Sequence, residues 1–221
     1  MSVGCRSGKE DAIMVVREIL RCMSLVCGPL HDAYYQDAKR LVPVLVCWLK
    51  DAGYHAIAMP CVAHFMNAAA SRMIQRLERL PREEEEAAFQ MAGGDIHCTA
   101  GQDGEAHYIV LVFTQDRILA CDPSACHFPV ENGDVQNWFT EIDGSVLDAN
   151  GVIVLSWDNS SVIYHQFASD QLVISDAWRR QIAYVKQNWP RVKKEMIETT
   201  GLDYFAKHGT WRMTNARTEP A

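Results

Sequence analysis

The stretch HYIVLVFTQDRILACDPS, residues 107–124, decides the fold. Tyr108 to Phe113 and Ile118 to Cys121 are runs of aromatic, β-branched and aliphatic residues around the polar turn Thr114-Gln115-Asp116-Arg117. That pattern predicts an antiparallel hairpin. His107 opens its first strand and Asp122 follows its second. A hairpin brings the chain back to where it began, so the two side chains are expected side by side at one end of a sheet. A carboxylate beside an imidazole fixes its tautomer and stabilises its protonated form, as a general base requires.

Outward from this hairpin, Val152 to Trp157 and Val162 to Phe167 predict a second one across Asp158-Asn159-Ser160-Ser161. Upstream, Tyr54 to Phe65 reads as a strand with an irregularity at Pro60, followed by a helix over Ala68 to Leu80. A further helix runs from the acidic stretch Glu83–Glu86 to Met91 and stops at Gly93-Gly94. Between Asp32 and Gly53, the stripe Ala38, Leu41, Leu45, Trp48 and Ala52 steps at helical spacing. Pro43 either kinks this helix or lies in its first turn. Ile13, Val16, Leu20, Met23 and Cys27 mark an amphipathic helix over residues 10–27, ended by Gly28-Pro29. A last helix starts near Asp176, with Trp178, Ile182, Val185 and Trp189 on one side; tryptophans so spaced are core residues. Helices precede mostly antiparallel strands, with no repeat, linker or composition break. The expected fold class is α+β: one domain over residues 1–221, with N-terminal helices packed on a mostly antiparallel sheet.

Composition narrows the function classes. The 221 residues are 48% hydrophobic and 22% charged, enough to bury a full core without staples. The net charge is -7 and no Lys/Arg run is interleaved with aromatics, so neither nucleic acid nor an anionic membrane surface is an expected partner. The apolar run Ala12–Val16 is broken by Arg17, too short for a signal peptide. The expectation is a cytoplasmic protein whose eight cysteines (5, 22, 27, 47, 61, 98, 121 and 126) are reduced thiols.

With HYIVLV and RILACDPS in view, the chain resembles the papain-like and transglutaminase-like cysteine hydrolases over roughly residues 30 to 128. In that group a His begins a strand, an Asp-Pro-Thr/Ser follows the next strand, and a catalytic Cys sits at the N-terminus of a central helix. The helix ending at Ala52-Gly53 and the strand from Tyr54 are similar to the group's central helix and first strand. The resemblance implies acyl transfer or amide hydrolysis on a small-molecule or peptide substrate, without cofactor. His107 would shuttle the proton and Asp122 would orient it. It also implies a thiol near Gln36 or Asp37, where this chain has none. Cys27 is the nearest upstream thiol and the candidate nucleophile. Against it, the end of a helix is electronegative and raises a thiol pKa. Cys47 lies within the helix among core residues. Cys61 follows a strand and Pro60 with no helix after it. A degenerate enzyme with Gln36 or Asp37 at the nucleophile position stays open.

Two readings of other classes compete. His97/Cys98, His107, Cys121 and Cys126/His127 offer zinc-type ligands, although neighbours on a strand point to opposite faces and each adjacent pair supplies one at most. Alternatively the sheet end near His107, Asp122 and Phe128 holds a ligand without catalysis. Asp122-Pro123-Ser124 is also a plain Asx turn, and a lone strand-end His often does no more than bond a carbonyl.

Overall fold

The computed structural model describes residues 38–51, 53–77, 79–101, 105–114, 117–124, 139–148, 151–157, 160–167, 170 and 172–200. The helix expected over residues 10–27 lies outside them. Helix α1 (Ala38–Asp51) leads into the long strand β1 (His55–Asn67), then α2 (Ala68–Leu77), a 3-10 turn (Glu83–Glu85) and α3 (Glu86–Met91). Strands β2 (Ile96–Ala100), β3 (His107–Phe113), β4 (Ile118–Cys121), β5 (Phe139–Ile142), β6 (Val152–Trp157) and β7 (Ser160–His165) come next, and α4 (Asp176–Gln187) and α5 (Trp189–Thr200) close the described chain.

The seven strands among the described residues form one sheet, in the order β5-β4-β3-β1-β7-β6, with β2 paired to β1 off that path. Every pairing is antiparallel. The α+β expectation therefore holds, with helices on an antiparallel sheet. The outer strands β5 and β6 come into contact without pairing, so the sheet curls into a near-barrel.

β1 is the spine. It pairs with β3 from His55 to Cys61 and with β7 from Val62 to Asn67. Pro60 sits just before this exchange, where among the described residues one edge of β1 carries no strand and a missing N–H is tolerated. β2 runs along the same edge of β1 as β3: Ala63 faces Ala100 and Cys61 faces His107. The two are halves of one strand, interrupted by residues 101–106. Gly101 makes the interruption possible. Its φ is +92°, and a Cβ there would lie 2.6 Å from the Cys61 carbonyl oxygen and 2.9 Å from the His107 nitrogen.

The two-residue period of the strands sorts their side chains into layers. Ala56, Tyr108, Val110, Val112, Leu119 and Cys121 face outward under α1, α4 and α5, where Leu45 and Leu49 are fully buried. Each such leucine contributes about 1.5–3 kcal/mol. Ile109, Leu111, Cys61, Phe65, Ile153, Val162 and Tyr164 fill the inside of the curl. α2 and α3 cover the outer face of the other half through Ala70, Ile74 and Phe89 on Met66 and Ile163. Trp48 and Trp178 are buried and Trp189 packs beside them, as expected of core residues. Among the described residues no helix is long and apolar enough to cross a membrane.

Candidate functional site

His107 is the first residue of β3, and Asp122 directly succeeds β4. Their side chains meet, His107 Nε2 lying 2.8 Å from Asp122 Oδ2. Both sit at one end of the inner layer, since His107 shares the face of Ile109 and Leu111. The Tyr164 ring lies beside the His107 ring, with centroids 5.9 Å apart.

Asp122 is 1% exposed and accepts from four donors. Oδ2 takes His107 and the Tyr164 hydroxyl, the latter at 2.7 Å. Oδ1 takes the Ser124 backbone N–H at 2.8 Å and the Ser124 hydroxyl at 2.7 Å. The Ser124 bond is the Asx turn expected of Asp-Pro-Ser, so the structural use of Asp122 and its pairing with His107 coexist. Burial drives the Asp122 carboxyl upward, but the charge and hydrogen bond of His107, then the bonds from Ser124 and Tyr164, outweigh it. The net effect holds Asp122 below the usual carboxylate value. The Tyr164 hydroxyl is pushed far up, by burial first and the Asp122 charge second, and stays a donor.

An ionised Asp122 accepts only, so the neutral His107 carries its proton on Nε2 and its lone pair on Nδ1. The His107 side chain keeps 10% exposure and that of Asp122 none, so the imidazole is the part of the pair that solvent reaches. The pair can therefore act as an oriented base.

The thiols stand differently. Cys61 lies inside β1, within the strand expected over Tyr54 to Phe65, and directly opposite His107. It is completely buried, and burial together with the Asp122 charge pushes its thiol far up. Cys121, buried under α1, is raised for the same two reasons, and Cys47 is raised chiefly by burial. All three are free and buried thiols, and none is an accessible thiolate. Cys27, Gln36, Asp37, Cys126, His127 and Phe128 lie outside the described residues.

Among the described residues no three His, Cys, Asp or Glu side chains gather as a metal set requires. Cys121 and His107 face opposite sides of the sheet, and His97 pairs with Asp95 at 3.0 Å while its ring lies 5.4 Å from that of Phe65.

Sequence reasoning locates His107 and Asp122 but misses Tyr164. Alternation in β7 gives its face, yet nothing local says that β7 runs beside β1 and so reaches Asp122. The chain matches no protein-family model, and comparisons with curated proteins and with solved structures gave no match.

Proposed function

We propose that His107 and Asp122 are the acid–base half of a cysteine-dependent acyl-transfer or amide-hydrolysing centre, in the manner of papain-like and transglutaminase-like hydrolases. One observation carries the reading: the buried Asp122, saturated by four donors, holds His107 by Nε2 at 2.8 Å. So rigid a carboxylate–imidazole arrangement at the mouth of a sheet suits proton transfer.

In this reading the His107 Nδ1 takes the thiol proton as sulfur attacks the substrate carbonyl. The proton passes to the leaving amine, and water then cleaves the acyl thioester with His107 again as base. Cys27 is the candidate thiol. The substrate is an amide or acyl compound, peptide or small molecule.

A second reading, ligand binding without catalysis, is favoured by one feature. The dyad lies on the sheet face opposite the one α1 covers, so a thiol carried by α1 itself would have to reach around the sheet end.

Alkylation of the native protein with iodoacetamide between about pH 5 and 9, with the labelled site read by mass spectrometry, separates the two. The hydrolase reading expects one cysteine, Cys27, to react fast below neutrality and to slow in His107→Ala. Uniformly slow labelling would leave only the binding reading.

A further inference from the structure

His64 and His165 form a second cluster, unused by the dyad. On the β1–β7 ladder His64 faces Ile163 and Val62 faces His165, which puts both rings on the outer face, away from His107. The two Nε2 atoms are 2.7 Å apart, and His64 Nδ1 is 2.8 Å from Thr99 Oγ1 of β2. The ring centroids are 4.8 Å apart with 12° between the planes. That separation exceeds the nitrogen contact by about the width of one ring, so the imidazoles meet edge to edge in nearly one plane. They share a single bridging proton, one Nε2 donating and the other accepting. The Thr99 hydroxyl can donate or accept, so it serves either tautomer of His64.

This bond sits where β7 ends, with His165 as the last residue of the strand. Its neighbour Tyr164 points to the opposite face and donates to Asp122. The next residue, Gln166, has φ 58°, in the left-handed region. The end of β7 is thus held by two side-chain bonds, one on each face.

We propose that the His64–His165 bond is an acid-operated latch that keeps the end of β7, and with it Tyr164, in place against Asp122. A proton added to the accepting Nε2 removes the acceptor and leaves an imidazolium facing the N–H of its neutral neighbour; a second proton would set two imidazolium ions against each other. Among the described residues nothing on this face offsets that charge. Val62, Met66, Thr99, Ile163, Val152 and Ala70 are uncharged, His97 is turned toward Phe65 and paired with Asp95, and Arg72 and Arg76 of α2 are themselves positive. Burial, then the neighbouring ring, lowers the His64 pKa from 6.5 to about 4, and burial lowers that of His165. Once opened, each hydrated ring takes one proton. Opening therefore consumes two, and the open fraction grows by up to about 100-fold per pH unit. The latch stands on the Tyr164–Asp122–His107 geometry; only its effect on turnover rests on the hydrolase reading.

The test is a titration of the full chain, with ¹⁵N-labelled histidine, from about pH 7.5 to 4. It reads the nitrogen–nitrogen coupling across the His64–His165 bond, the slowly exchanging Tyr164 hydroxyl proton and far-UV circular dichroism. The latch predicts that the coupling and the hydroxyl signal vanish at one midpoint, with two-proton steepness, while the dichroism persists. His165→Gln keeps a donor for His64 but takes no proton, so it lowers the midpoint and halves the steepness. If that variant does not fold, the wild-type titration decides alone. A Tyr164 signal that outlives the coupling, or a coupling lost only together with the dichroism, overturns the latch. A two-proton opening in a chain with no reactive thiol keeps the latch and removes the hydrolase.

Discussion

The two histidine sites lie on opposite faces of the same strands and solve burial in opposite ways. On the inner face an imidazole meets a carboxylate that is fully buried and fully bonded. On the outer face an imidazole meets another imidazole. The first arrangement sets an ionised acceptor against its ring; in the second, burial and the neighbouring ring disfavour positive charge on His64. A ring of one residue type thus meets a charged partner in one place and a neutral one in another. The difference lies entirely in the partner that the sheet register supplies: Asp122 through the β3–β4 hairpin, His165 through the β1–β7 ladder.

The strongest way to break the inner site is to remove its carboxylate. Asp122→Ala would leave the His107 Nε2–H, the Tyr164 hydroxyl and both Ser124 donors without an acceptor in a place that water does not reach. Loss of one partner of a buried pair costs about 3–5 kcal/mol. Urea unfolding of the variant should show a loss of that size. A loss below about 1 kcal/mol would mean that Asp122 is a surface-like turn residue, as far as stability goes.

Acid separates the sites by window. His64 has a folded pKa of about 4 against an ordinary 6.5, so the unfolded chain binds more protons than the folded one between those values. Stability is therefore full above 6.5 and falls as the pH drops toward about 4, by about 3 kcal/mol. Asp122 acts later: its folded pKa lies below the ordinary 3.8, so its contribution is present above 3.8 and fades only below it. Denaturant midpoints measured against pH should thus fall in two stages. In His64→Gln the stage between 6.5 and 4 should shrink to the part that His165 contributes, while the lower one stays. A single fall confined to pH values below 4 would show that the outer pair is not held neutral.

The same contrast explains what the sequence could and could not disclose. The His107–Asp122 meeting is legible because one local hairpin makes it, and hairpin patterning needs only period and turn. β1, α1 and α4 are legible for the same reason, each long enough for its period to repeat. The strands β2 and β5 are short and, unlike the four-residue β4, have no hairpin partner across a short turn to reveal them, and the pattern predicts neither. The second hairpin is displaced: Ser160 and Ser161 read as turn residues, yet they begin β7 because Asn67 and Met66 of β1 pair with them. Tyr164 and the His64–His165 bond depend on that same long-range pairing, which spans about half the chain. Sheet order is set by how the layers pack, and one strand's pattern is equally compatible with several neighbours.

The smallest effect tests how much of the inner site depends on this distant strand. Tyr164→Phe removes one of four donors to Asp122 and keeps the ring that fills the inner layer beside His107. A hydrogen bond to a charged group is worth about 1.5–3 kcal/mol, and three donors remain to share the load, so a loss near 1.5 kcal/mol is expected. The Asp122 carboxyl should titrate higher in the variant, because one of the bonds that hold it down is gone. Carboxyl carbon NMR on selectively labelled aspartate reads that shift directly. An unchanged Asp122 titration would assign the carboxylate to the β3–β4 hairpin alone, and β7 would then have no hold on the dyad.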